Sequence, residues 1–145
     1  MDGNFGLDLN AAFQHIGKAQ TFSIFFPTLR RALVVDMRHA PGEGPLVRVM
    51  PMARSASERL RTLKRMRPHL PRASEIVAIP WPAYVNNLVS SGVWEKILAR
   101  IDESGSTDAR HAIDNALDEL RRIERHEIAA LIRGEQYETI WAKQD

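Results

Sequence analysis

The sequence has no cysteine, and this absence excludes disulfide bonds, thiolate metal sites and cysteine nucleophiles. No apolar run approaches the roughly 20 residues that a membrane-spanning helix requires. The first residues, Met1-Asp2-Gly3-Asn4, lack the basic stretch that opens a signal peptide. Together, these absences predict a cytoplasmic protein with no membrane segment.

Motifs that fix a reaction or a cofactor are also missing. No Gly-x-Ser-x-Gly turn is present to activate a serine, and no glycine-rich phosphate loop follows a predicted strand. His111, Asp114 and Asp118 share a predicted helix face, but the chain lacks the Glu-x-x-His pairs of di-metal bundles. Asp36 with His39 is another possible acid–base pair, although an ion pair across two strands accounts for Asp36 more simply. We expect no metal, no cofactor and no catalytic set.

Alternating and continuous apolar stretches predict four strands. The second and third should form an antiparallel hairpin with Asp36 opposite Arg48, because the intervening segment is rich in glycine and proline. The fourth is apolar after its first residue, which is typical of a strand covered on both faces. The predicted strands are Thr21–Phe26, Leu29–His39, Leu46–Met52 and Glu75–Pro80.

Helical spacing dominates the remaining sequence. Ser55 and Glu58 form a capping-box pattern that begins a helix, and Pro68 ends it. This helix connects the third and fourth strands, so the two strands should run parallel in a right-handed crossover. From about residue 83 the chain should be helical, with a long helix over Asp108–Arg133 that stops at Gly134. Tyr137, Ile140 and Trp141 should pack back after it.

This order of elements predicts an α+β fold in a single domain over residues 1–145, with the first few residues mobile. The sheet should be small and mixed, with about four strands arranged in antiparallel hairpins and one strand-helix-strand crossover, packed with helices. A similar order occurs in ribonuclease-H-like folds, and Asp36 on an early strand fits that comparison. Such enzymes need several acidic residues converging on metal ions. No such set can be assembled here, so the comparison supports no family.

Basic charge is concentrated around the helix after the third strand. Residues 54–72 contain seven basic residues and one acidic residue, whereas residues 102–145 contain six basic and eleven acidic residues. A positive helix face is the electrostatic footprint of nucleic-acid binding. The alternatives are a face exposed only to water, or a partner for the acidic C-terminal helix. The candidate polyanion-binding residues are Arg54, Arg59, Arg61, Lys64, Arg65 and Arg67.

A second candidate site follows from strand direction. If the third and fourth strands are parallel, their carboxyl ends should lie together, and a helix begins after each of them. Helix N-termini offer unpaired amides to anions, and Trp81 can stack on a base or a sugar. Simple helix capping by Ser55 and core packing by Trp81 are the alternative. The candidate crevice residues are Arg54, Ser55, Ser57, Trp81 and Tyr84.

Three hypotheses for function remain. The first is a binding or regulatory module that contacts nucleic acid or an acidic protein through the basic helix. The second is a homodimer through the C-terminal helices without polyanion binding, because the long apolar stripe there exceeds what one sheet face requires. The third is a small enzyme or ligand-binding domain with its crevice near Arg54, Ser55 and Trp81.

Overall fold

A computed structural model describes residues 8–38, 42–52, 56–68 and 76–134, without side-chain detail at positions 56, 57, 59 and 60. Within these residues the α+β fold is confirmed, with a mixed four-stranded sheet and a long helix near the C-terminus. In chain order the elements are α1 (Leu9–Lys18), β1 (Thr21–Phe26), β2 (Arg31–Asp36), β3 (Leu46–Pro51), α2 (Ala56–Met66), β4 (Val77–Pro80), α3 (Val85–Ser90), α4 (Val93–Glu103) and α5 (Thr107–Ile132).

The strand order in the sheet is β3-β2-β1-β4. β2 is antiparallel to both of its neighbours, while β1 and β4 are parallel. β3 and β4 therefore run in the same direction, but they lie at opposite edges of the sheet. The connection through α2 passes over β2 and β1, because the hairpin of β1 and β2 occupies the centre. The carboxyl ends of β3 and β4 are thus separated by about 14 Å, which is three strand spacings.

The predicted pairing of Asp36 with Arg48 is wrong. Asp36 lies opposite Leu46, and Arg48 lies opposite Val34. The register differs by two residues, so every side chain keeps the face that its alternation predicts. Asp36 is fully buried and has two other partners: Arg38 donates to both carboxylate oxygens at 3.0 Å, and the hydroxyl of Thr21 on β1 donates to Oδ1 at 3.1 Å.

The two faces of the sheet are covered by different numbers of helices. One face packs against α1, α3, α4 and α5 around a large apolar cluster that includes Phe22, Leu33, Trp94, Ile113 and Leu120. The other face is covered by α2, in a small cluster of buried residues comprising Ala32, Val34, Leu63 and Ile76. The sheet therefore separates a thick helical layer from a thin one.

The start of α5 is fixed against the loop that precedes β3. Ser106 caps the helix by accepting a hydrogen bond from the amide of Ala109 at 3.1 Å. A Cβ atom on Gly44 would collide with the side chain of Ser106, so only glycine allows this approach. From there α5 crosses the sheet and buries Ile113, Ala116 and Leu120 along one stripe. Most of the apolar stripe of α5 thus packs within its own chain.

Candidate functional site

The outward side of α2 is a compact cationic surface. Leu63 is 1% exposed and anchors the helix to the sheet, whereas Arg61, Lys64 and Arg65 are exposed. Helical spacing produces this separation, because positions 61 and 65 lie on the side of the helix away from position 63. In the described part of the chain, Arg65 donates only to the Thr62 hydroxyl at 3.4 Å, and no ion pair engages Arg61 or Lys64. We call Arg61, Lys64 and Arg65 the α2 cationic face.

Arg67 does not belong to this surface. It is half-buried, and its guanidinium donates to the carbonyl of Arg38 at 2.8 Å and to the carbonyl of Gly44 at 2.7 Å. These carbonyls follow β2 and precede β3, so Arg67 joins the two ends of the loop that connects these strands. Arg67 therefore has a structural role at this loop, and its binding role stays a prediction. Arg54 and the side chain of Arg59 lie outside the described residues.

Arg48 extends the same side of the molecule. It is exposed on the edge strand β3, between Leu46 and Met50, whose side chains pack into the α2 cluster. Because residues two apart on a strand share a face, Arg48 lies on the α2 side of the sheet. Arg48 was not among the predicted binding residues, because the sequence analysis paired it with Asp36. Strand alternation alone would have placed it on this side of the sheet.

The acidic helix is not a partner of the basic one. α5 packs on the opposite face of the sheet from α2, as their separate clusters show. Within these two helices α2 has four basic residues and one acidic residue, and α5 has four basic and six acidic residues. The sheet therefore keeps the two charge distributions apart, and the α2 cationic face is directed outward.

The crevice predicted from the ends of β3 and β4 is divided by the two central strands. Trp81 is buried, with its indole N–H donating to the carbonyl of Tyr84 at 3.3 Å, so the ring is a core residue. Tyr84 is 63% exposed and lies at the end of β4 only. Arg54, Ser55 and the side chain of Ser57 lie outside the described residues, so their part of the hypothesis stays a prediction.

An apolar cleft does lie beside Tyr84. It has a volume of about 320 Å³ and is bounded by the β1–β2 turn, the start of α3 and the C-terminal half of α5. It therefore lies at the carboxyl end of β1 and β4, the end where sheets with parallel strands commonly bind ligands. The residues lining this α5 cleft are Thr28, Leu29, Pro82, Ala83, Tyr84, Asn87, Glu124, Glu127, Ile128 and Leu131.

Two carboxylates of α5 line the cleft in different ways. Glu124 accepts a hydrogen bond from the amide of Val85 at 2.8 Å, which caps the start of α3. Glu127 is only 6% exposed, and its Oε2 atom has no hydrogen-bond partner in the described part of the chain. The sequence did contain a signal for this site. Position 127 is seven residues after Leu120 on the buried stripe, so an acid there interrupts an otherwise apolar row.

The histidine and acidic groupings that the structure describes do not form a metal site. His111 and Asp118 are exposed, and Asp114 accepts from Arg110 at 3.4 Å. His39 lies outside the described residues. Among the residues that the structure describes, no three histidine or acidic side chains come close enough to hold an ion.

Comparison with models of protein families, with curated proteins and with solved structures finds no match for this chain. Among the described residues, no helix combines the length and the apolar character needed to cross a membrane. A proposal for function must therefore rest on the side chains of the α2 cationic face and of the α5 cleft.

Proposed function

We propose that the protein is a binding module that contacts a polyanion, nucleic acid in the first instance, through the α2 cationic face. The observation that supports this is the exposure of Arg61, Lys64 and Arg65 on one side of a helix that, among the described residues, has no acidic helix beside it. Arg48 lies on the same side and adds a fourth charge. An acidic protein segment would satisfy the same chemistry and is the nearest alternative partner.

The size of the effect can be estimated from counterion release. If the three side chains of the α2 cationic face neutralise three phosphates of duplex DNA, the logarithm of the association constant falls with the logarithm of salt concentration with a slope of about −2.7. Raising the salt from about 50 mM to about 200 mM then weakens binding by about 40-fold. A change of about 40-fold is easily measured. A slope of this size also indicates that only about three charges contact the phosphates.

The direct test is fluorescence anisotropy with single- and double-stranded DNA and RNA at these two salt concentrations. We expect micromolar binding at the lower salt. The triple variant Arg61→Glu/Lys64→Glu/Arg65→Glu should abolish it and leave the fold intact, because all three side chains are exposed. Competition with polyglutamate then distinguishes the two partners: displacement of the oligonucleotide at similar concentrations indicates an acidic protein segment, and weak displacement indicates nucleic acid.

A matched control is available on the other side of the sheet. Lys96, Arg122 and Arg125 are exposed on α4 and α5, so their replacement by glutamate changes the net charge by the same amount. Equal loss of binding in both triple variants would mean that overall charge, rather than the α2 cationic face, attracts the polyanion. No binding of the unaltered protein at low salt would remove the proposal.

A homodimer remains the alternative function, and one observation favours it. Leu131 and Ile132 are 55% and 80% exposed at the end of α5. The solution mass, measured by light scattering over a range of concentrations, distinguishes a monomer of 16.4 kDa from a dimer. If the protein is a dimer, Ile132→Glu should convert it to a monomer. A dimer that binds no oligonucleotide would support the second function in place of the first.

A further inference from the structure

Glu127 has an environment that the described residues do not account for. Its side chain is only 6% exposed, and Oε2 is a buried oxygen with no hydrogen-bond partner among the described residues. A buried carboxylate without a partner is strongly unfavourable, so native proteins normally supply a donor or a cation. The neighbouring carboxylate of Glu124 has such a donor in the amide of Val85. The contrast identifies Glu127 as the unsatisfied group of the α5 cleft.

The surroundings of Glu127 define what a partner would have to be. The walls of the cleft include Leu29, Ile128 and Leu131, and the exposed ring of Tyr84 forms its rim. A volume of about 320 Å³ is at the lower end of the range for small-molecule sites. A ligand that matches this cleft therefore has an apolar body of a few carbon atoms and one cationic group that donates hydrogen bonds.

We propose that the α5 cleft is a binding site for a small organic cation, an alkyl or aryl ammonium or guanidinium, whose charged group pairs with Glu127. A charge-assisted hydrogen bond to a buried carboxylate is among the stronger polar interactions in proteins. The aromatic rim adds a cation–π surface close to the opening. An anion is disfavoured, because both charged side chains among the described residues that line the cleft are acidic.

This proposal is independent of the polyanion hypothesis. The α5 cleft and the α2 cationic face lie on opposite faces of the sheet, on different helices. A variant of Glu127 should therefore leave oligonucleotide binding unchanged. Loss of support for oligonucleotide binding would therefore not affect the proposed cation site, and the reverse is also true.

The experiment uses three probes of similar shape that differ in charge: hexylamine, hexanol and hexanoate. Each is titrated into the ¹⁵N-labelled full chain, and the amide shifts of Tyr84, Asn87 and Ile128 report on the cleft. We expect saturable shifts with hexylamine, with weaker binding of hexanol and none of hexanoate. Glu127→Gln should weaken hexylamine binding by about tenfold or more, because the charge-assisted hydrogen bond is lost.

Glu95→Gln is the matched control, since Glu95 is an exposed acid on α4 away from the cleft lining. It should leave hexylamine binding unchanged. Hexanol binding as tightly as hexylamine, or a Glu127→Gln variant with unaltered affinity, would overturn the proposal. Equal loss in both variants would also contradict it, because the amine would then bind to negative charge in general.

A second variant keeps the test decisive if Glu127→Gln does not fold. Leu131 is one helical turn after Glu127 and lines the same cleft. Leu131→Lys therefore places a cation of the chain itself next to the carboxylate. We expect this variant to raise the melting temperature and to abolish hexylamine binding. Unchanged hexylamine binding in this variant would show that the amine does not occupy the position beside Glu127.

Discussion

The two faces of the sheet differ in thickness as well as in charge. On one face, four helices bury a large apolar cluster, and the acidic helix α5 lies in this layer. On the other face, α2 is held over a much smaller cluster around Leu63, and it is basic. Because burial of apolar surface supplies most folding free energy, the thick layer should provide the stability. The thin layer is then free to carry exposed charge.

The largest expected effect tests this difference in stability directly. Leu120 is fully buried in the thick layer and Leu63 is almost fully buried in the thin one. We expect Leu120→Ala to lower the free energy of unfolding by about 4 kcal/mol, near the upper part of the range for such substitutions, and Leu63→Ala by about 2 kcal/mol. The smaller cluster around Leu63 should collapse more readily into the space left behind. Urea denaturation monitored by circular dichroism measures both values.

An equal or larger loss for Leu63→Ala would contradict the expectation that the thick layer provides most of the stability. It would mean that α2 and its connections contribute as much to folding as α5. The slope of unfolding free energy against urea should be similar in both variants, because each leaves the same surface to be exposed on unfolding.

The second prediction separates two arginines that the sequence presents as equivalent. Arg67 satisfies two carbonyls in the loop between β2 and β3, and Arg61 is exposed on the α2 cationic face. Arg67→Met should lower the free energy of unfolding by about 1–2 kcal/mol, because two partly buried acceptors lose a charged donor. Arg61→Met should change it by less than about 0.5 kcal/mol.

Oligonucleotide binding should respond in the opposite order. Arg61→Met removes a charge that faces outward, so it should weaken binding at low salt. Arg67→Met should weaken it less, because that guanidinium is already engaged with Arg38 and Gly44. If both substitutions affect stability and binding alike, the separation between structural and binding arginines on α2 is wrong.

Local pattern was sufficient to predict most elements of the fold. The bounds of β1 follow from its aromatic and β-branched residues and from the proline after it, and the face assignments along β2 follow from alternation. α5 follows from its apolar stripe between Ser106 and Gly134. The strand order did not follow, because nothing local states that β3 and β4 lie at opposite edges. Pairing Asp36 with Arg48 was wrong for a related reason: Arg38, two residues further along the chain, satisfies Asp36 first.

The candidate sites were only partly accessible to the same reasoning. The exposed part of the α2 cationic face was identified from helical periodicity, whereas the structural role of Arg67 depends on carbonyls 23 and 29 residues away. The α5 cleft joins the β1–β2 turn, the start of α3 and the end of α5. Its components are distant in sequence and only the tertiary packing brings them together. The acidic residue at position 127, on the buried stripe of α5, was the one feature of the local sequence that indicated this cleft.

The smallest effect concerns this acid and has the opposite sign. Glu127 is only 6% exposed, and its Oε2 has no hydrogen-bond partner in the part of the chain that the structure describes. A methionine can occupy nearly the same volume without a carboxylate to desolvate. Glu127→Met should therefore raise the free energy of unfolding by about 1 kcal/mol, toward the lower end of the cost of leaving a buried polar group unsatisfied. Glu127→Gln should gain less, because its amide is still polar and still lacks a partner.

Glu119→Met is the control, since Glu119 is half-exposed on the same helix and its replacement should have an effect within about 0.5 kcal/mol. If Glu127→Met instead lowers the stability, the carboxylate must contribute an interaction that holds the native state together. The cleft would then contain no unsatisfied charge to attract a cation. If the stability rises and hexylamine binding disappears in the same variant, Glu127 lowers the stability of the fold and is required for binding. The thick layer would then contain a binding site as well as most of the core.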